Sequence, residues 1–181
     1  SNDFKKALII REDVRFYEHK GIDPTGILRA LYRNVFKNKR EGASTITMQL
    51  ARNSFSELMS QKTLHRKLIE AQLARRIENE YSKDQILEFY MNRIFFGSGI
   101  YGIENASLSY FGKRAMDMNL SEAAMLAGII RGPNRFSPFR NFEDANEQRK
   151  TVLHRMHEEK IITRNEFQNA MLTGVQILPQ N

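Results

Sequence analysis

The stretch Ser121-Glu122-Ala123-Ala124-Met125-Leu126-Ala127-Gly128-Ile129-Ile130-Arg131-Gly132-Pro133 decides the fold class. Ser121 predicts a helix start, Glu122–Ile130 an apolar helix, and Gly132-Pro133 its stop. Ala123–Ile130, interrupted by Gly128, is the longest apolar run in the chain. It falls far short of the about 20 residues that a membrane-spanning helix needs.

Working outward, the pattern is helical nearly throughout. Upstream, Asp3 to about Glu18 predicts a helix carrying Ala7, Leu8, Ile9 and Ile10 before it turns charged. Asp23-Pro24 is a helix start, and Ile27, Leu31 and Val35 recur behind it at i, i+4 and i+8 as one apolar stripe. Ser44 predicts the cap of a short helix to about Asn53. Lys62–Glu80 predicts a long charged helix with Leu68, Ala71, Leu73 and Ile77 as its buried positions. Ser82 and Gln85 form a capping box before Ile86–Met91, and Gly112 closes a helix ending at Phe111. Downstream, Glu143–Glu159 is amphipathic and Thr163–Glu166 is another capping box. Apart from a short extended piece near Phe95, no run alternates with period two. The reading is mainly α, a single domain over residues 1–181, with lobes hinged near the basic loop Lys37–Gly42.

The chain has 181 residues, 41% of them hydrophobic and 27% charged, which excludes disordered and collagen-like classes. With no cysteine, disulfide scaffolds, thiolate-held zinc, iron–sulfur clusters and thiol catalysis are excluded. The formal net charge of +7 points to a polyanionic partner or to a domain that is simply basic. No aromatic-interleaved basic stripe supports nucleic acid. The four histidines, His19, His65, His154 and His157, lie at no recognised zinc spacing. A nucleophile elbow, a P-loop and a dinucleotide fingerprint are missing, and Gly97, Gly99 and Gly102 read as a turn between helices.

Three segments carry candidate chemistry. Glu12-Asp13-Val14-Arg15-Phe16-Tyr17-Glu18-His19-Lys20-Gly21 gathers acids, a cation, aromatics and a histidine; alone, it also reads as a solvated helix end. Gly42-Ala43-Ser44-Thr45 sets small hydroxyl residues at a helix N-terminus, suited to an anion or to plain capping. Arg66, Lys67 and Glu70 share one helix face by their i, i+3 and i+4 spacing. That face is either a surface ion-pair cluster or a holder of pyrophosphate.

In order, these segments resemble the peptidoglycan glycosyltransferases of glycosyltransferase family 51, found in class A penicillin-binding proteins and monofunctional transglycosylases. The motif Glu-Asp-x-x-Phe-x-x-His-x-Gly is met by Glu12, Asp13, Phe16, His19 and Gly21. Gly-x-Ser-Thr-Ile-x-Gln-Gln is met by Gly42, Ser44, Thr45, Ile46 and Gln49, and Arg-Lys-x-x-Glu by Arg66, Lys67 and Glu70. A fourth motif runs from Lys83 through Ile86, Leu87, Glu88 and Tyr90 to Asn92, and a fifth over Arg149–Leu153. The likeness extends from about Phe4 to Ala170. Met48 stands where the family has its first Gln, Arg52 where Lys is common, and Lys150 where Arg is.

The resemblance implies a lysozyme-like, mainly α fold with a large head lobe and a small, mobile jaw, here roughly within 36–65. It implies polymerisation of lipid II into glycan strands, with inversion, by attack of an acceptor GlcNAc 4-hydroxyl on a donor carried by undecaprenyl pyrophosphate. Glu12 is the implied general base and Glu70 the second catalytic carboxylate. Arg52, Arg66 and Lys67 are assigned to the pyrophosphate, and Ser44, Thr45 and Gln49 to donor sugar and phosphates. Asp13, Phe16 and His19 shape the site, and Arg15 contacts substrate phosphate. A divalent cation, Mg2+ or Mn2+, is expected at Glu70, with no organic cofactor. The fourth and fifth motifs read as scaffold.

The partners expected are lipid II, the growing glycan and a membrane surface met through Lys37–Arg40 and Phe55–Lys62, with no nucleic acid. An N-terminal anchor upstream of this segment and a transpeptidase domain downstream fit the same family. So does the extracytoplasmic face of a bacterial inner membrane. The alternative on a lysozyme-like fold is a lytic or hydrolytic wall enzyme.

Overall fold

The computed structural model describes residues 1–36, 42–55 and 64–179. In chain order the helices are α1 (Asn2–Glu12), α2 (Pro24–Phe36), α3 (Ile46–Ser54), α4 (Leu64–Glu80), α5 (Lys83–Arg93), α6 (Ile103–Phe111), α7 (Leu120–Ile129), α8 (Phe142–Glu158) and α9 (Arg164–Leu172). Among the described residues the only extended pairing is an antiparallel bridge between Phe95 and Tyr101, around the glycine-rich turn. The mainly α expectation holds. The chain divides into two compact units, Ser1–Val14 with Met91–Asn181, and Arg15–Tyr90.

In the first unit α7 is the central element, with every residue from Ser121 to Ile129 buried. A helix apolar on all sides needs neighbours on all sides, and α1, α8 and α9 pack on it. Gly128 is where α8 comes closest, since a Cβ there would lie 2.8 Å from the Gln148 Cβ. The helix begins at Leu120 rather than after Ser121. Asn119 is its cap, in a reciprocal capping box with Glu122.

Capping by Asn119 leaves the Ser121 hydroxyl for another task. Its hydroxyl accepts from the Arg149 guanidinium at 2.7 Å, and the same nitrogen reaches the Ala170 carbonyl at 2.7 Å and the Thr173 carbonyl at 3.3 Å. Arg149 Nε donates to Asn146 at 2.7 Å. Burial lowers the pKa of this guanidinium from its ordinary value. One arginine of the fifth motif therefore fastens α7, α8 and the end of α9.

In the second unit α3 packs on α4. Two expectations change here. The helix predicted to about Glu18 ends at Glu12, and the chain turns at once, with the Glu18 N–H on the Arg15 carbonyl at 2.8 Å. Beyond this turn Phe16 and His19 are both buried. The stripe Ile27, Leu31, Val35 is exposed together with Leu28, Tyr32 and Phe36, while the small Gly26 and Ala30 are the buried residues of α2. The basic loop Lys37–Arg40 and most of Phe55–Lys62 lie outside the described residues.

Replacing Arg149 with Met should destabilise the protein by about 2–3 kcal/mol, because it strips charged hydrogen bonds from buried acceptors. Arg149→Lys should recover only part of the loss, since an ammonium lacks the guanidinium fork. Midpoints of urea unfolding measure both.

Candidate active site

Glu12 is the last residue of α1 and half-buried; Asp13, buried, is the helix C-cap, with its N–H on the Ile9 carbonyl at 2.8 Å. The residue before them carries no sequence signal. Arg11 is buried and donates to the Gln148 side chain on α8. Burial, with repulsion from Arg131 and Arg155, lowers its pKa to about 10, and Glu12 is the neighbouring charge that favours its cationic form. Nothing in a helix-terminal Arg distinguishes a buried side chain from a solvated one, so only tertiary packing reveals it.

Around Gly21 the first, second and third motifs meet within the second unit. Gly21 has φ +85°, and a Cβ there would lie 2.8 Å from the Ala74 carbonyl carbon on α4, so glycine is required on both counts. Its carbonyl accepts from Thr45 Oγ1 at 2.6 Å. The same Thr45 oxygen accepts from the Met48 N–H at 3.1 Å, which makes Thr45, and not Ser44, the cap of α3. Ser44 is released toward α4, where its hydroxyl accepts from Lys67 Nζ at 2.6 Å.

The charged face of α4 turns inward. Glu70 has no solvent exposure. Its Oε2 accepts from Lys67 at 2.8 Å, and its Oε1 lies 3.2 Å from Arg66 Nε and 3.9 Å from Arg52 Nη1 on α3. Three cations around one carboxylate leave two net positive charges, held in place, and all three cations keep some exposure. Glu70 and Ala74 are the buried residues of α4, whereas Leu68, expected in the core, is exposed, and Ala71, Leu73 and Ile77 are half-buried. Ion pairing outweighs hydrophobicity here because a buried carboxylate must be compensated.

The same arrangement bears on the divalent cation expected at Glu70. A lone carboxylate with both oxygens engaged by cations would repel a further cation. Among the described residues no group of three His, Asp or Glu side chains is placed to hold one. The donor set does not fit a protein-held Mg2+ or Mn2+.

Arg15 pairs with Glu18 at 3.0 Å and with buried Asp23 at 3.7 Å, apart from the Glu70 cluster. Phe16 is fully buried, edge-on to His19 at 6.3 Å, with the Lys83 ammonium 4.5 Å above its ring. Lys83 also donates to Glu78 at 2.7 Å, and Thr47 donates to the same Glu78 oxygen at 2.5 Å. Tyr90 donates to Gln49 at 2.7 Å. The fourth motif thus supports side chains of the first two. Thr47 and Glu78 belong to this support and carried no sequence signal.

The comparisons agree on one group of proteins. The family model described as Transglycosylase matches residues 1–157. A putative transglycosylase of Cupriavidus necator is 44% identical over 171 residues, 94% of this chain and 73% of its own length. Penicillin-binding protein 1A of Haemophilus influenzae is 46% identical over 166 residues, which are 91% of this chain and 19% of that protein. The chain therefore spans about a fifth of the length of the penicillin-binding protein. A crystal structure of that protein superposes with a TM-score of 0.51 at 26% identity, covering 75% of this chain and 17% of that one.

Glu70→Gln should destabilise the protein by about 2–3 kcal/mol, since it leaves facing cations without their counter-charge. Lys67→Met should cost under about 1 kcal/mol, because that ammonium is 41% exposed and screened by solvent. Urea unfolding of the two variants gives the comparison.

Proposed function

The chain belongs to the transglycosylase family of peptidoglycan glycosyltransferases, and on that footing we propose that it polymerises lipid II with inversion at the donor's anomeric carbon. The observation that carries this reading is the Arg52–Arg66–Lys67 set gathered on buried Glu70. When the acceptor hydroxyl attacks, charge grows on the departing pyrophosphate. Preorganised cations stabilise that charge without rearranging during the reaction. Arg66 and Arg52 supply flat, forked donors, and Lys67 a point charge. Glu70 acts by holding them.

Glu12 is assigned as the general base that takes the proton of the acceptor's 4-hydroxyl as the new bond forms. A positioned carboxylate is worth roughly 10²–10⁴-fold in such a step. The chemistry parallels an inverting glycosidase with a sugar hydroxyl in place of water. Ser44, Thr45 and Gln49 are assigned to the donor's sugar and phosphates. Asp13, Phe16 and His19 set the backbone path behind Glu12. Arg15, engaged by Glu18 and Asp23, is assigned a secondary phosphate contact. No step runs through a metal ion.

A membrane surface is the proposed setting, on the outer face of the bacterial cytoplasmic membrane. The support is α2, whose large apolar side chains lie open while Arg29 and Arg33 are exposed on the same helix. That is the composition of an interfacial helix that meets anionic lipid. Among the described residues no helix is long and apolar enough to cross a membrane.

Labelled lipid II incubated with the protein should give glycan chains on a gel. Glu12→Gln should lower their rate of formation by at least about 10²-fold with an unchanged thermal melt. Full activity in that variant would remove Glu12 as the base. Release of muropeptides from purified sacculi, without lipid-linked substrate, would favour the hydrolytic alternative.

A further inference from the structure

Within the first unit, one point of α8 is held from two sides. Gly128 brings α8 close to α7 at Gln148, where a Cβ on the glycine would lie 2.8 Å from the Gln148 Cβ. The next residue, Arg149, is buried and bonded to Ser121, Ala170 and Thr173. From this fixed position the Gln148 side-chain oxygen accepts from Arg11 Nη2. Arg11 immediately precedes Glu12, the last residue of α1.

Keeping an arginine there opposes stability. Arg11 is only 7% exposed, and among the described residues its Nε has no hydrogen-bond partner. Gln148 is neutral and compensates a buried charge only in part. Arg131, just after α7, and Arg155, on α8, repel the guanidinium, whereas Glu12 attracts it. An apolar side chain of similar volume would serve packing at least as well, so packing does not account for the residue. Arg11 does supply an anchor for the last turn of α1. The final carbonyls of a helix have no partners within it, and a cation beside them suits the helix dipole. Without that anchor, the carboxylate assigned to meet the acceptor hydroxyl would stand on a turn open to fraying.

We propose that Arg11 is a positioning residue: held to Gln148 of α8, it fixes the last turn of α1 and with it the Glu12 carboxylate. This rests on the reading of Glu12 as the general base. A displacement of about 1 Å at a reacting group can cost 10²-fold in rate, so a helix end free to shift that far loses most of what the base contributes. Arg11 acts through Glu12, and Gln148 acts through Arg11.

Steady-state kinetics of glycan synthesis from lipid II, read beside thermal melts, test this. Arg11→Met should lower kcat by at least about tenfold. KM should stay within about twofold, as for a group that acts on the transition state alone. The melt should hold or rise, because an apolar side chain replaces a buried charge. Gln148→Leu should lower kcat in the same way, while Gln148→Glu, which keeps an acceptor oxygen, should retain most of it. The double variant Arg11→Met/Gln148→Leu should lose no more than Arg11→Met alone, since both changes break one contact. An unchanged kcat in Arg11→Met overturns the proposal, as does a fall matched by loss of folded protein or an additive loss in the double variant. If the unmodified protein forms no glycan, or Glu12→Gln keeps full activity, the base assignment itself is overturned and the positioning role falls with it.

Discussion

A carboxylate without solvent exposure, ringed by three cations, constrains the whole second unit. Burying the Glu70 carboxylate calls for counter-charges, and Arg66, Lys67 and Arg52 supply them. Arg66 and Lys67 follow from helix spacing, but Arg52 arrives on α3, so α3 and α4 must pack at a set register. Gly21 admits that register by letting the α4 backbone approach, and Thr45 locks it from the other side. The binding charge and the fold of this unit are therefore one arrangement. A net positive cluster is costly to assemble in a basic protein, and this one fits the proposed role of receiving a multiply charged ligand.

Much of this was legible in the residues, and the divisions between what was and was not have physical causes. Capping signals are local, so Pro24, the Ser82 and Thr163 boxes and the left-handed Gly112 end fall where the sequence puts them. Caps that compete within two residues are ambiguous in sequence. Ser44 and Thr45, or Asn119 and Ser121, have equivalent hydroxyl or amide groups, and tertiary partners decide which one turns to the helix. The ion-pair face of Arg66, Lys67 and Glu70 was visible from spacing. Its burial was not, because hydrophobicity ranks Leu68 above Glu70 while pairing reverses that order.

The helix α2 teaches a related point. Periodicity shows that Ile27, Leu31 and Val35 share a face, but not what medium the face meets. In the structure the small residues Gly26 and Ala30 point inward and the large ones are open. An amphipathic helix oriented this way is suited to lipid, and the open wall of Leu64 and Leu68 on α4 has the same character. Both lie in the unit that holds the cation cluster. A substrate with a charged pyrophosphate on a hydrocarbon chain calls for this pairing of surfaces.

The proposed function requires that the cations on Glu70 receive the donor's pyrophosphate. A crystal structure of the protein with inorganic pyrophosphate tests it most directly. Diphosphate oxygens should lie within hydrogen-bond distance of Lys67 Nζ and the Arg66 guanidinium, with Glu70 still in contact with both. Diphosphate bound elsewhere, with the Glu70 cluster closed on itself and unliganded, would contradict it.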